Sequence, residues 1–118
     1  MVDKEVGVST HVLDTARGKP AAGVPVQLER QEVSGQWRNV GSGRTDEDGR
    51  CFQLLSERDK LTPGTYRLNF DTEAYYAQEG VRGLHPVVQI SFWVRDGETH
   101  LHIPLLLSPH GYTTYRGS

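Results

Sequence analysis

Cysteine is almost absent: Cys51 is the single thiol among 118 residues. An internal disulfide is excluded, and with it a small fold stapled by bridges. Long apolar runs are missing too. No stretch approaches the roughly 20 residues of a membrane-spanning helix, so no membrane partner is expected. Excess positive charge is lacking, since the formal net charge is −2. Without a basic footprint, nucleic acid is not an expected partner. The opening Met1-Val2-Asp3-Lys4-Glu5 has no apolar centre of the kind a secretory leader needs. Together with the lone thiol, this makes the cytoplasm the expected location. A Gly-x-Ser-x-Gly nucleophile elbow is also missing.

What is present suits an ordinary globule. Hydrophobic residues make up 36% and charged residues 24%, which argues against disorder. A chain of this length buries about two-thirds of its unfolded surface, enough for a core without staples. Residues 1–118 are expected to form a single domain.

The dominant pattern is alternation with period two. Glu5–Leu13 reads as a strand with Val6, Val8, Thr10 and Val12 on one face and Gly7, Ser9, His11 and Leu13 on the other. A turn through Asp14–Pro20 leads to a strand over Val24–Arg30, and Ser34-Gly35 turns into another over Trp37–Arg44. Asp48-Gly49 is a tight-turn signal, with a strand beginning at Arg50 and running through Cys51, Phe52, Gln53 and Leu54. After Pro63-Gly64, Tyr66, Leu68 and Phe70 alternate with Arg67, Asn69 and Asp71. Thr72–Glu79 breaks the alternation. With Asp71 or Thr72 as N-cap and Gly80 as the stop, it reads as one short helix. Val87–Val94, the segment beyond Asp96-Gly97, and the segment after Gly111 complete eight strands. Short strands with turns every eight to twelve residues point to an all-β sandwich.

Chemistry concentrates near the end, where His100, His102 and His110 supply three of the five histidines. Leu101, Ile103 and Leu105 suit a core, which turns His100 and His102 to the opposite face. Spaced i and i+2, these two imidazoles could reach one metal ion. A polar strand face is the plainer reading, because no third ligand stands in register. His11 lies opposite the valines of its strand. Arg50 follows a turn directly; it is either a solvated turn residue or a planar, bidentate anchor for a carbonyl or anionic ring. Cys51 reads as a small buried hydrophobe. His85 and His110 carry no assigned role.

Several segments resemble a known family. Gly18-Lys19-Pro20-Ala21-Ala22-Gly23-Val24-Pro25-Val26 and Thr45-Asp46-Glu47-Asp48-Gly49-Arg50 are similar to turn motifs of the prealbumin, or transthyretin-like, sandwich. Thr10-His11-Val12-Leu13-Asp14, His102-Ile103-Pro104-Leu105-Leu106-Leu107-Ser108 and the closing Tyr115-Arg116-Gly117-Ser118 resemble the transthyretin-related 5-hydroxyisourate hydrolases. The likeness spans essentially the whole chain.

The resemblance implies an eight-stranded sandwich of two four-stranded sheets, with one short helix after the fifth strand. It implies a urate-degradation enzyme that opens 5-hydroxyisourate to 2-oxo-4-hydroxy-4-carboxy-5-ureidoimidazoline. By carry-over, His11, Arg50 and His102 would be catalytic, and Tyr115, Arg116, Gly117 and Ser118 would bind substrate. The first, fourth, seventh and eighth strands would share one sheet, so that Arg50, His11, His102 and Tyr115 come from four of its members. A homotetramer, a dimer of dimers with sites between subunits, is implied, and neither metal nor organic cofactor. The rivals are a transthyretin-type carrier of an apolar hormone and a prealbumin-like interaction domain without chemistry.

Overall fold

The protein is described by a computed structural model over residues 7–118. One sheet contains β3 (Pro25–Gln31), β4 (Trp37–Arg44), β6 (Gly64–Phe70) and β7 (Val88–Val94), in the order β4-β3-β6-β7 and all antiparallel. The other is built on β1 (Gly7–Asp14) and β8 (His100–Ser108), which pair in parallel from Gly7 opposite His100 to Asp14 opposite Leu107. β9 (Gly111–Thr114) joins the far side of β8, and β5 (Arg50–Cys51) pairs with β1. The expected grouping of the first, fourth, seventh and eighth strands is therefore present.

Apolar alternation explains why the sheets stack. Val8 and Val12 from β1 and Leu101, Ile103, Leu105 and Leu107 from β8 are buried. They face Val26, Leu28, Tyr66, Leu68 and Phe70 of the other sheet. Each such side chain contributes about 1.5–3 kcal/mol on burial. The valine and leucine faces read from sequence are the buried ones, which leaves His11, His100 and His102 on the outer face.

Two expectations need correction. The 14–20 segment is not all turn, because Lys19–Pro20 forms a short strand, β2, against Asp14 and Leu13 of β1. Gly18, at φ 67°, makes that return possible. The strand beginning at Arg50 stops after Cys51 instead of continuing through Leu54. The regular ladder breaks at Phe52 and Gln53. Leu54 then returns to β1, its N–H donating to the Val8 carbonyl at 3.0 Å, its side chain buried in the core and its carbonyl lying where a Cβ on Gly41 would be 1.5 Å away. Glu5 and Val6, the first two residues of the expected opening strand, lie outside the described residues.

The helix α1 spans Thr72–Glu79 as expected. The Asp71 side chain accepts the Ala74 N–H at 3.0 Å, and Gly80 ends the helix in the left-handed conformation. Tyr75 anchors it by donating its hydroxyl to Asp14 Oδ2 at 2.7 Å. Burial and the nearby Asp14 both push that phenol's pKa upward.

Candidate active site

The Asp48-Gly49 turn delivers two groups to the outer face. Asp46 Oδ1 accepts from the N–H of Asp48 and of Arg50, both at 2.9 Å, and Asp46 N–H donates to the Arg50 carbonyl at 2.8 Å. The Val12 N–H donates to the Gly49 carbonyl at 2.7 Å, which docks the turn on β1. Gly49, at φ 76°, has no room for a side chain: a Cβ would lie 2.3 Å from the Val12 oxygen. The result is that Arg50 pairs directly opposite His11. The Asp48 carbonyl lies 2.8 Å from His11 Nε2, and a carbonyl can only accept. His11 therefore carries its proton on Nε2.

His102 is held from two sides. On β1, Ser9 stands opposite it, with Oγ 2.8 Å from His102 Nδ1 and 3.5 Å from His100 Nε2. On the other side the C-terminal tail runs back along β8, and the Gly117 N–H donates to the His102 carbonyl at 2.8 Å. A Cβ on Gly117 would approach His102 Cδ2 to 2.5 Å and Pro104 Cγ to 3.1 Å. With Nδ1 against Ser9 and Cδ2 against Gly117, the ring presents Nε2 and Cε1 outward. Burial, then the charges of Arg50, His100 and His11, hold the His102 pKa below the ordinary 6.5. The imidazole is neutral at physiological pH.

The structure gathers His11, Arg50 and His102 on one face from three strands, with Gly117 beside them. The other tail residues are placed differently. Tyr115 lies just beyond the end of β9 rather than on a fourth strand, exposed beside Trp93 and Ile103 in a groove between the sheet edges. Arg116 shares that groove, and its Nη1 donates to Glu98 at 2.6 Å. The Arg95 backbone and this guanidinium hold Glu98 below the usual carboxylate range. Ser118 is exposed at the end of the chain.

The i, i+2 pair His100 and His102 meets a serine hydroxyl instead of a third ligand. Among the described residues no three His, Cys, Asp or Glu converge as a metal site. Cys51 is half-buried against the core and its thiol pKa is raised by burial, as befits a small hydrophobe. His85 packs edge-on against Tyr112 with ring centroids 5.2 Å apart. Sequence reasoning missed three contributors: Ser9, the Asp48 carbonyl and Glu98. Ser9 shares the outward parity of His11, the one hint available; its partner depends on the register of two strands distant in sequence.

The catalytic-type groups stand on an open sheet face. A cavity of about 770 Å³ lies elsewhere, between β4 and residues 53–59, and none of the three lines it. Around the candidate site, Leu13 and Leu106 leave half-exposed apolar surface on the same face.

Comparison with known proteins bears on this arrangement. The chain is similar to a 5-hydroxyisourate hydrolase of Mus musculus, 44% identical over the full length of both. Another of that name, from Salmonella typhimurium, is 41% identical over 94% of this chain and 80% of its own length. Among solved structures, the Klebsiella pneumoniae 5-hydroxyisourate hydrolase superposes with a TM-score of 0.81 at 36% identity, over 96% of this chain and 99% of that one. Sea bream transthyretin in complex with thyroxine reaches 0.86 at 32% identity, covering 93% of each chain. Backbone similarity thus accommodates both a hydrolase and a hormone-binding protein, and cannot choose between them. The HIUase/Transthyretin family model matches residues 8–117, and with relatives this similar over nearly the whole chain, the protein belongs to that family.

Proposed function

We propose that residues 1–118 act as one hydrolase domain, opening the six-membered ring of 5-hydroxyisourate to 2-oxo-4-hydroxy-4-carboxy-5-ureidoimidazoline. The observation that carries this reading is the meeting of His11, Arg50 and His102, whose pKa is lowered by burial and then by neighbouring charge, on one outer face. A thyroxine-type carrier needs apolar walls for an iodinated ring system. Two imidazoles and a guanidinium instead suit a small, planar, oxygen-rich ring.

The chemistry is hydrolysis of a cyclic amide. His102 Nε2 takes a proton from water, and the resulting hydroxide adds to the ring carbonyl carbon. Arg50 and donors of the tail stabilise the oxyanion of the tetrahedral intermediate. As the intermediate collapses, the ring C–N bond breaks and the imidazolium returns its proton to the departing nitrogen. His11, anchored on the Asp48 carbonyl, orients the substrate. Arg116, placed on Glu98, acts by holding the tail over the site. Tyr115 and Ser118 complete the substrate-binding end, and the chemistry needs no metal or organic cofactor.

An open face does little to exclude bulk water. Association of this sheet with its counterpart, in a homotetramer built as a dimer of dimers, would enclose it. Specific activity should then fall when the protein is diluted below its association constant, as measured by coupling the assay to sedimentation. Constant activity in a dissociated chain would rule out an interfacial site.

The direct test is to generate 5-hydroxyisourate with urate oxidase and follow its ultraviolet decay with and without the protein. Decay no faster than the uncatalysed rate would overturn the reading. A pH dependence follows. Because the pKa of His102 is depressed below 6.5, the neutral base persists above that value and is lost only as pH falls through the lowered one. The kcat/KM profile should therefore level off toward pH 8, with an acidic limb centred below 6.5. A profile still flat at pH 4.5 would exclude an imidazole base.

A further inference from the structure

Ser9 is the least conspicuous member of the cluster. It lies on the outward parity of β1, yet it is only 4% exposed, covered by the imidazoles of β8. A hydroxyl buried on the outer face of a sheet costs desolvation unless it is bonded. Among the described residues its hydroxyl meets His102 Nδ1 at 2.8 Å and His100 Nε2 at 3.5 Å.

We infer that Ser9 is a positioning residue for the reaction proposed above, fixing the tautomer of His102 by accepting a hydrogen bond from Nδ1–H. A neutral imidazole has one N–H and one lone pair, and the bond made by one nitrogen decides the state of the other. With the proton on Nδ1 toward Ser9, the lone pair is on Nε2, the nitrogen that the Gly117 contact leaves facing outward. The Ser9 hydroxyl hydrogen then has His100 Nε2 as its acceptor. This makes a chain of three groups across β1 and β8: His102 Nδ1–H to Ser9 Oγ–H to His100 Nε2. When His102 takes the proton of water, the Nδ1–H bond to Ser9 shortens the search for the right ring orientation and stabilises the imidazolium. Arg50 from β5, His11 from β1 and His100 from β8 are the charged or titratable groups that face His102 and oppose that charge. Ser9 supplies a neutral acceptor against them.

The role differs from that of a surface serine in one checkable way. Without the hydroxyl, the acceptor that holds the proton on Nδ1 is lost, and every molecule carrying Nε2–H has no lone pair on that nitrogen for water.

The experiment compares wild type with Ser9→Ala and Ser9→Thr, in the full-length protein as it assembles. Long-range nitrogen–proton NMR spectra report the His102 tautomer without substrate, and the 5-hydroxyisourate assay reports kcat and KM. Wild type should show the Nδ1–H form. Ser9→Ala should shift His102 toward Nε2–H, move the acidic limb of the rate profile to lower pH, and cut kcat by about tenfold with KM within about twofold. Ser9→Thr keeps the oxygen and should restore both the tautomer and most of kcat. The inference is overturned if wild-type His102 already carries Nε2–H, if Ser9→Ala leaves tautomer and kcat unchanged, or if Ser9→Thr is as impaired as Ser9→Ala. If the protein proves inactive on 5-hydroxyisourate, the function falls, while the tautomer spectra still decide the role of Ser9.

Discussion

Replacing His102 with Asn should lower kcat by about 100-fold or more, the range set by loss of a positioned acid–base group. Asn is close in size to the inner half of the imidazole, so its amide can still meet Ser9 Oγ and leave Gly117 undisturbed. What disappears is the outward nitrogen. His11 Nε2 is committed to the Asp48 carbonyl, and the Arg50 guanidinium has no lone pair with which to accept a proton. The fold should survive, with Tm within a few degrees, because His102 is only half-buried and the core face of β8 is untouched. His11→Asn should cost less, about tenfold, since it orients and does not itself take the proton. Single-turnover decay of 5-hydroxyisourate, together with thermal unfolding of each variant, measures both claims. A His102→Asn variant that turns over at the wild-type rate would remove the proposed base.

The second large effect concerns stability. Gly49→Ala should destabilise the protein by about 2–4 kcal/mol, the left-handed backbone contributing about 1–2 and steric conflict the rest. The conflict is with backbone: the new Cβ would stand 2.3 Å from the Val12 oxygen and 3.3 Å from the Ala21 N–H that this oxygen binds. Neither atom can swing aside as a flexible side-chain end would. Relief requires the turn to lift off β1, carrying Arg50 away from its pairing with His11 and withdrawing the Asp48 carbonyl from His11 Nε2. Activity well below the melting temperature should therefore fall as well. Gly18→Ala is the control. Gly18 also has positive φ, at 67°, but nothing lies within 4 Å of its Cβ position. It should lose only the backbone part, about 1–2 kcal/mol, with kcat unchanged. Equal losses at the two glycines would show that conformation alone, without the close approach to Val12, accounts for the first.

The sandwich was legible because its cause is local and repeats. Valines and leucines at every second position can satisfy burial only as one face of a strand, and the Asp-Gly and Pro-Gly pairs say where each strand must end. The same rule places His11, His100 and His102 on the outer faces of their strands. The helix was legible for a different local reason, an acceptor at Asp71 and a left-handed stop at Gly80 bracketing a stretch without alternation. The early end of the strand at Cys51 was not. Phe52, Gln53 and Leu54 have ordinary strand chemistry, and the interruption shows only in the packed fold, where the Leu54 carbonyl lies against Gly41 while its N–H stays bonded to Val8.

The tail marks the same boundary. Tyr115-Arg116-Gly117-Ser118 can be picked out in the chain by resemblance, but composition says nothing of how its members divide. Arg116 bonds Glu98, from the segment joining β7 to β8, while Gly117 fits against His102 because it has no side chain. From the sequence alone came the faces of the strands, the positions of the turns and the outward direction of three imidazoles. Each of these depends on neighbours a few residues apart, where backbone geometry is the only arbiter. Register across β1 and β8 decided the rest. It set Ser9 against His102, some ninety residues away, while the β1–β5 ladder set Arg50 against His11; pairing between strands distant in sequence is settled by how whole sheets pack, not by any one segment.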